Sequence, residues 1–147
     1  MHWSVRVGVV LVTAAVAACS DLRDYRGAWQ GHRIGDSPAL RVGLPEAVDA
    51  TLTISGIDHH GMRARLTVPG VIGDAGVESL AGAEADALSG MTFPGDPLRV
   101  YLSFVATTDG GGDVLAVIAL YDDDRVELRV LRGGAQPVYG VFALDRP

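Results

Sequence analysis

The chain has 147 residues, with 12 arginines, no lysine and 18 acidic side chains, a formal net charge of −6. That balance excludes an electrostatic attraction to nucleic acid or to an anionic membrane surface. The single cysteine, Cys19, excludes an internal disulfide, so stability has to rest on one apolar core, and about 120 residues suffice for one such domain.

The first 18 residues have the three-part layout of a secretory signal. Arg6 is the one positive side chain of the leading segment, residues 7–16 are apolar but for Thr13, and the small residues Ala17 and Ala18 follow. The apolar run is too short to span a bilayer, which needs about 20 residues. Two alternatives are a buried element of the domain and an ordinary signal that leaves a free thiol, a liability in an oxidising space. Val16-Ala17-Ala18-Cys19 resembles the lipobox of bacterial lipoproteins, with a branched aliphatic and two small residues before the cysteine. The resemblance implies a diacylglyceryl thioether on Cys19, cleavage between Ala18 and Cys19, and an acylated new amine. Two or three acyl chains anchor stably where one does not. Ser20 in place of aspartate implies, by the family's sorting rule, passage to the outer membrane, on its periplasmic face. The mature chain then has eleven arginines against eighteen acids, a net charge of −7, so lipid and not a basic patch must hold it.

Residues 19–24 read as a lipidated tether. Six residues reach at most about 20 Å when extended. Residues 25–147 read as one domain. Residues 25–34 form the expected first strand, in which glycines flank Trp29, the only tryptophan of the mature chain. A glycine weakens a strand unless the chain bends or something approaches closely. Gly27-Ala28-Trp29 resembles the start of lipocalin-like (calycin) barrels, which open with glycine, any residue, then tryptophan. In that family a basic residue near the end of the last strand packs over the ring, and Arg146 matches that place. The resemblance thus implies barrel closure by Gly27, Trp29 and Arg146. The family's threonine-aspartate pair has no secure counterpart, since Thr108-Asp109 lies in a glycine-rich turn that favours such residues anyway.

Residues 35–46, with Gly35, Pro38, Gly43 and Pro45, read as a loop long enough to be a lid or a plain surface loop. Period-two strands follow. Val48, Ala50, Leu52 and Ile54 share one face; so do Met62, Ala64, Leu66 and Val68, after a turn at residues 56–61. Residues 71–93 read as two short strands or irregular chain, with a short helix over residues 78–88 as the alternative. Leu98, Val100, Leu102, Phe104 and Ala106 are the expected inward set of the next strand. Residues 114–120 are apolar on both faces, so both are expected to be covered or to make an outward contact. Val126, Leu128 and Val130 alternate with arginines and Glu127, and residues 138–144 form the last strand. About eight strands joined by short turns predict an all-β fold, a single small antiparallel up-and-down barrel of lipocalin-like type. Such a barrel is filled by side chains or holds one small ligand; the modest inward residues Val48, Val68, Val100, Val126 and Val130 predict a filled interior.

No chemistry-bearing constellation emerges. Asp122-Asp123-Asp124 lacks the spacing of a calcium loop, and His32 and the His59-His60 pair are too few for a metal site. No serine sits in a nucleophile elbow, and no phosphate loop can form without lysine. The expected protein is a non-enzymatic envelope lipoprotein without cofactor, held to the membrane by lipid. Its domain either carries a small apolar ligand or binds another envelope protein, as an assembly partner or a protease inhibitor. The small bacterial lipocalin-like inhibitors carry a disulfide that this chain cannot make.

Overall fold

Alternating side chains build strands here because a pleated strand sends successive residues to opposite faces, so one row can be buried while the other is wet. A computed structural model describes residues 21–34, 42–44, 49–80, 95 and 97–147. It contains β1 (Gly27–His32), β2 (Asp49–Ile57), β3 (Gly61–Val68), β4 (Ile72–Leu80), β5 (Arg99–Val105), β6 (Val114–Tyr121), β7 (Arg125–Arg132) and β8 (Val138–Leu144). Every strand pairs antiparallel with the next, so order in space is order in the chain. The protein is all-β and antiparallel. Among the described residues the one helical element is a 3-10 turn, Leu22–Tyr25.

The meander has two four-stranded halves. Within each half the ladders are long; between β4 and β5 there is one pair, Leu80↔Leu102. The outer edges meet as well. β1 and β8 are linked by isolated bridges, Gln30↔Asp145 and Arg33↔Phe142, and not by a continuous ladder. Gln30 and Asp145 exchange both backbone hydrogen bonds at 2.9 Å.

The inward rows merge into one apolar cluster that includes Trp29, Leu52, Leu66, Tyr101, Ile118, Leu128 and Phe142. The predicted inward sets of β2, β3 and β7 are buried, apart from Val48, which lies outside the described residues. The prediction for β5 is reversed. Tyr101 and Val105 are buried, while Phe104 is 74% exposed and Val100 and Leu102 are half-buried. The reason lies in β6, whose two faces are both apolar. Tyr101 pairs with the inward Ile118, and Leu102 with the outward Val117, so either parity of β5 finds an apolar neighbour. Tyr101 gains a further fix, its hydroxyl donating to the Asp58 carbonyl at 2.6 Å. Both faces of β6 are covered: the outward Val117 and Ala119 are fully buried, as are the inward Ala116 and Ile118. β7 has a covered outer side too, with Glu127 4% exposed and paired to Arg129 at 2.6 Å.

Within and just after the span expected to be a tether, residues 19–24, Asp21 caps the 3-10 turn and Leu22 and Tyr25 are buried. Residues 72–80 form one nine-residue strand, β4; Glu78 and Ser79 lie within it, so the helical alternative fails at its start. Residues 81–94 lie outside the described residues. So do the leader, Ala18, Cys19, and the 35–46 loop apart from residues 42–44. Of that loop, Val42 bridges Tyr139 on β8 and Leu44 packs against the core.

Candidate functional site

The best-built polar cluster lies where the chain enters the domain. The Asp21 carboxylate accepts from the Arg23 amide at 3.0 Å, a capping bond that satisfies a free donor of the turn. The turn stacks Tyr25 against Trp29, with ring centroids 5.8 Å apart. The indole Nε1 donates to the Tyr25 carbonyl at 2.8 Å, and the Tyr25 hydroxyl donates to the Tyr121 carbonyl. Burial, then the nearby Asp124 carboxylate, pushes the Tyr25 phenol above its ordinary pKa. Trp29 is 1% exposed, so this end of the core is plugged by two rings.

Arg146 lies across that plug. Its guanidinium carbon is 4.3 Å from the centre of the Trp29 ring. It donates to the carbonyls of Asp24 and Arg26 and pairs with Asp124 at 3.1 Å. Gly27 has φ +115°, and a Cβ there would sit 3.6 Å from Arg146 Nη1. The three residues chosen for closure thus stand together. Four residues along β1, Gly31 marks a closer approach: a Cβ would lie 1.7 Å from the Ala143 carbonyl oxygen of β8. The two glycines beside Trp29 therefore serve two ends of one contact, a side chain at Gly27 and a backbone at Gly31.

The acidic turn belongs to this end and is engaged by arginine. Asp124 holds Arg146, and Asp123 holds Arg125 at 3.3 Å, while Arg125 covers the Tyr121 ring at 4.1 Å. His32 ends β1, whereas His59 and His60 lie in the turn between β2 and β3.

Two open clefts border the sheet. One of about 370 Å3 is lined by Arg26, Asp58, His60, Arg63, Glu78 and Ser79, among others. The Asp58 carboxylate is spent on its own turn, accepting from the His60 and Gly61 amides at 2.7 and 3.0 Å, and these bonds hold it below the usual carboxylate range. Ser79 is 5% exposed and its hydroxyl has no hydrogen-bond partner. The other cleft, about 340 Å3, is lined by Gln30, His32, Asp49, Thr51, Asp145 and Arg146. Walls of mixed charge suit a small polar group and not an apolar ligand.

At the far end Arg132 ties the glycine-rich turn. Its side chain is 8% exposed and meets Asp109 at 2.6 Å; it also donates to the Gly112 and Gln136 carbonyls at 2.8 Å. The Arg132 guanidinium, with the Gly111 amide and the Thr107 hydroxyl, holds the Asp109 carboxyl well below the usual range. Thr108-Asp109 is therefore a structural turn. Sequence reasoning missed this clamp, since no local spacing joins residues 23 positions apart. Tyr25, read as the start of the first strand, lies instead in the 3-10 turn and stacks on Trp29. Compared with family models, curated proteins and solved structures, the chain gives no match.

Proposed function

We propose that the protein is a bacterial envelope lipoprotein, held by lipid on Cys19 after removal of residues 1–18, whose body is a lipocalin-like β-barrel that works by binding and not by catalysis. Ser20 favours the periplasmic face of the outer membrane. The observation that carries the anchored reading is the folded turn that closely follows the lipobox in sequence. Asp21 caps a turn that is packed into the core, so a chain starting at Cys19 has a folded element two residues later. The barrel reading is supported by the chain-order meander, the β1–β8 bridges and Arg146 across Trp29, the pairing that the lipocalin resemblance implies. The test of the anchor is Cys19→Ala. The expected variant is not cleaved at the lipobox and takes up no radioactive palmitate; uptake by the variant would place the anchor elsewhere.

Of the two binding roles, an envelope protein partner is favoured over a small apolar ligand by Phe104. It is 74% exposed at the end of an outward cross-strand row, Phe104–Leu115–Leu131–Tyr139. Of the outward side of β6, Leu115 belongs to this row, while Val117 and Ala119 are fully buried. Solvent extraction and mass spectrometry of the purified protein separate the two roles. The expected result is no stoichiometric lipid; one apolar molecule per chain would promote the carrier.

A further inference from the structure

We propose that the domain docks on phospholipid headgroups by one defined end, the end that carries Arg26, the turn at residues 58–60, Leu98 and the turn at residues 122–124. This rests on the lipid-anchored reading and adds an orientation to it.

The argument starts from chain length. Asp21 is fixed by its bond to the Arg23 amide, and Leu22 and Tyr25 are buried. Two residue steps separate Asp21 from Cys19, which limits that span to about 7 Å. A strand of eight residues is about 26 Å long, so the short link cannot bring the opposite end of the domain to the same surface. The pairing identifies what surrounds the entry point. Gly27 pairs with Ile54 near the end of β2, which leads into residues 58–60. Arg99 pairs with Leu120 and donates to the His59 carbonyl at 2.7 Å. Tyr25 donates to Tyr121, and Arg146 joins Asp24 to Asp124. All of these belong to one end. The turns at residues 69–71, 106–113 and 133–137 belong to the other.

The chemistry of the entry end fits a headgroup layer. Arg23 on the turn and Arg26 at its C-cap stand exposed among the exposed Asp21 and Asp24, so the segment offers both charges to a zwitterionic headgroup. Asp123 and Asp124 are matched by Arg125 and Arg146, so these two carboxylates do not face the headgroups unpaired. Leu98 is 40% exposed at the start of β5. The attraction is weak alone, but a tether this short holds the face against lipid at high effective concentration.

The test uses the full lipidated protein in phosphatidylcholine vesicles that contain a nickel-chelating lipid. Lipid on Cys19 leaves no free native thiol, so single variants His60→Cys and Asp122→Cys at the entry end, and Ala106→Cys and Ala135→Cys at the other, each take one nitroxide label. Nickel is expected to relax the first pair several-fold more than the second. Inserting a flexible glycine-serine spacer of about twenty residues after Ser20 is expected to erase the difference. Intact mass reports the lipid independently. Equal relaxation at all four sites with the lipid present overturns the docking face and leaves the anchor standing; absence of the lipid mass, with labelling of Cys19, overturns the anchored reading itself.

Discussion

Trp29 shows how much one side chain can organise. Its ring is buried against Tyr25, bonded to the Tyr25 carbonyl and covered by Arg146, so it joins the entry turn, β1 and the chain's last residues. Trp29→Ala removes a core aromatic, and the expected loss is about 3–5 kcal/mol. Arg146→Ala leaves the ring in place but removes a cation–π contact and hydrogen bonds, with an expected loss of about 1–2 kcal/mol. In the chain starting at Cys19, Trp29 is the only tryptophan, and its emission reports the site directly. The emission should be blue-shifted and resistant to quenchers, and should move red in Arg146→Ala. An unchanged spectrum and unfolding midpoint in that variant would mean that Arg146 contributes nothing to the plug.

At the scale of the element, legibility followed the amount of contrast between faces. β2 and β3 alternate aliphatic residues with threonine, serine and arginine, and their buried rows are the ones read from the pattern. On β5 the pattern pointed to Leu98, Val100, Leu102, Phe104 and Ala106, whereas the buried row is Tyr101 and Val105. The choice was made by a tertiary bond from Tyr101 to the Asp58 carbonyl and by a partner strand apolar on both sides, neither of which a local pattern contains. β4 was hidden for a related reason: Gly73 and Gly76 interrupt its alternation, yet β3 pairs with it along most of its length. The turn between β5 and β6 was legible as a turn through its glycines, but not as a clamp. That clamp has a pH signature. Because Asp109 holds its proton less tightly when folded than when unfolded, its contribution is complete above the ordinary aspartate range and is lost as pH falls below about 4. Asp74, bonded to Arg65, and Asp58, bonded to its turn amides, shift in the same direction. Acid titration of the unfolding midpoint should therefore fall less steeply in Asp109→Asn than in the native chain. Parallel curves would show that the clamp is not a source of the acid sensitivity.

For the whole molecule the deciding feature is whether the two halves act as one cooperative body. On one side they share the ladder pair Leu80↔Leu102 and hydrogen bonds from the Ser103 hydroxyl to the Glu78 carbonyl at 3.0 Å and from the Thr108 amide to the Val71 carbonyl at 2.9 Å; on the other they share the bridges of β1 to β8, a second and separately breakable seam. Gly31 sits in that seam. An added methyl would meet the Ala143 carbonyl at 1.7 Å, and backbone cannot step aside as a flexible side chain can. Gly31→Ala should thus pry β1 from β8 while leaving the β1–β2 ladder, which runs along the strand's other edge. The expected cost is about 3 kcal/mol or more, at or above the upper end for overpacking. Hydrogen exchange locates the damage. The Gln30 and Asp145 amides, which bond across the seam at 2.9 Å, should lose protection first, followed by the Ile34 amide, which bonds to the Val141 carbonyl at 2.8 Å. The β6–β7 ladder at the centre of the second half should keep its protection until global unfolding. If Gly31→Ala unfolds at the native midpoint and those three amides already exchange freely in the native chain, the seam is open in solution, and the meander is two sheets sharing a core and not a closed barrel.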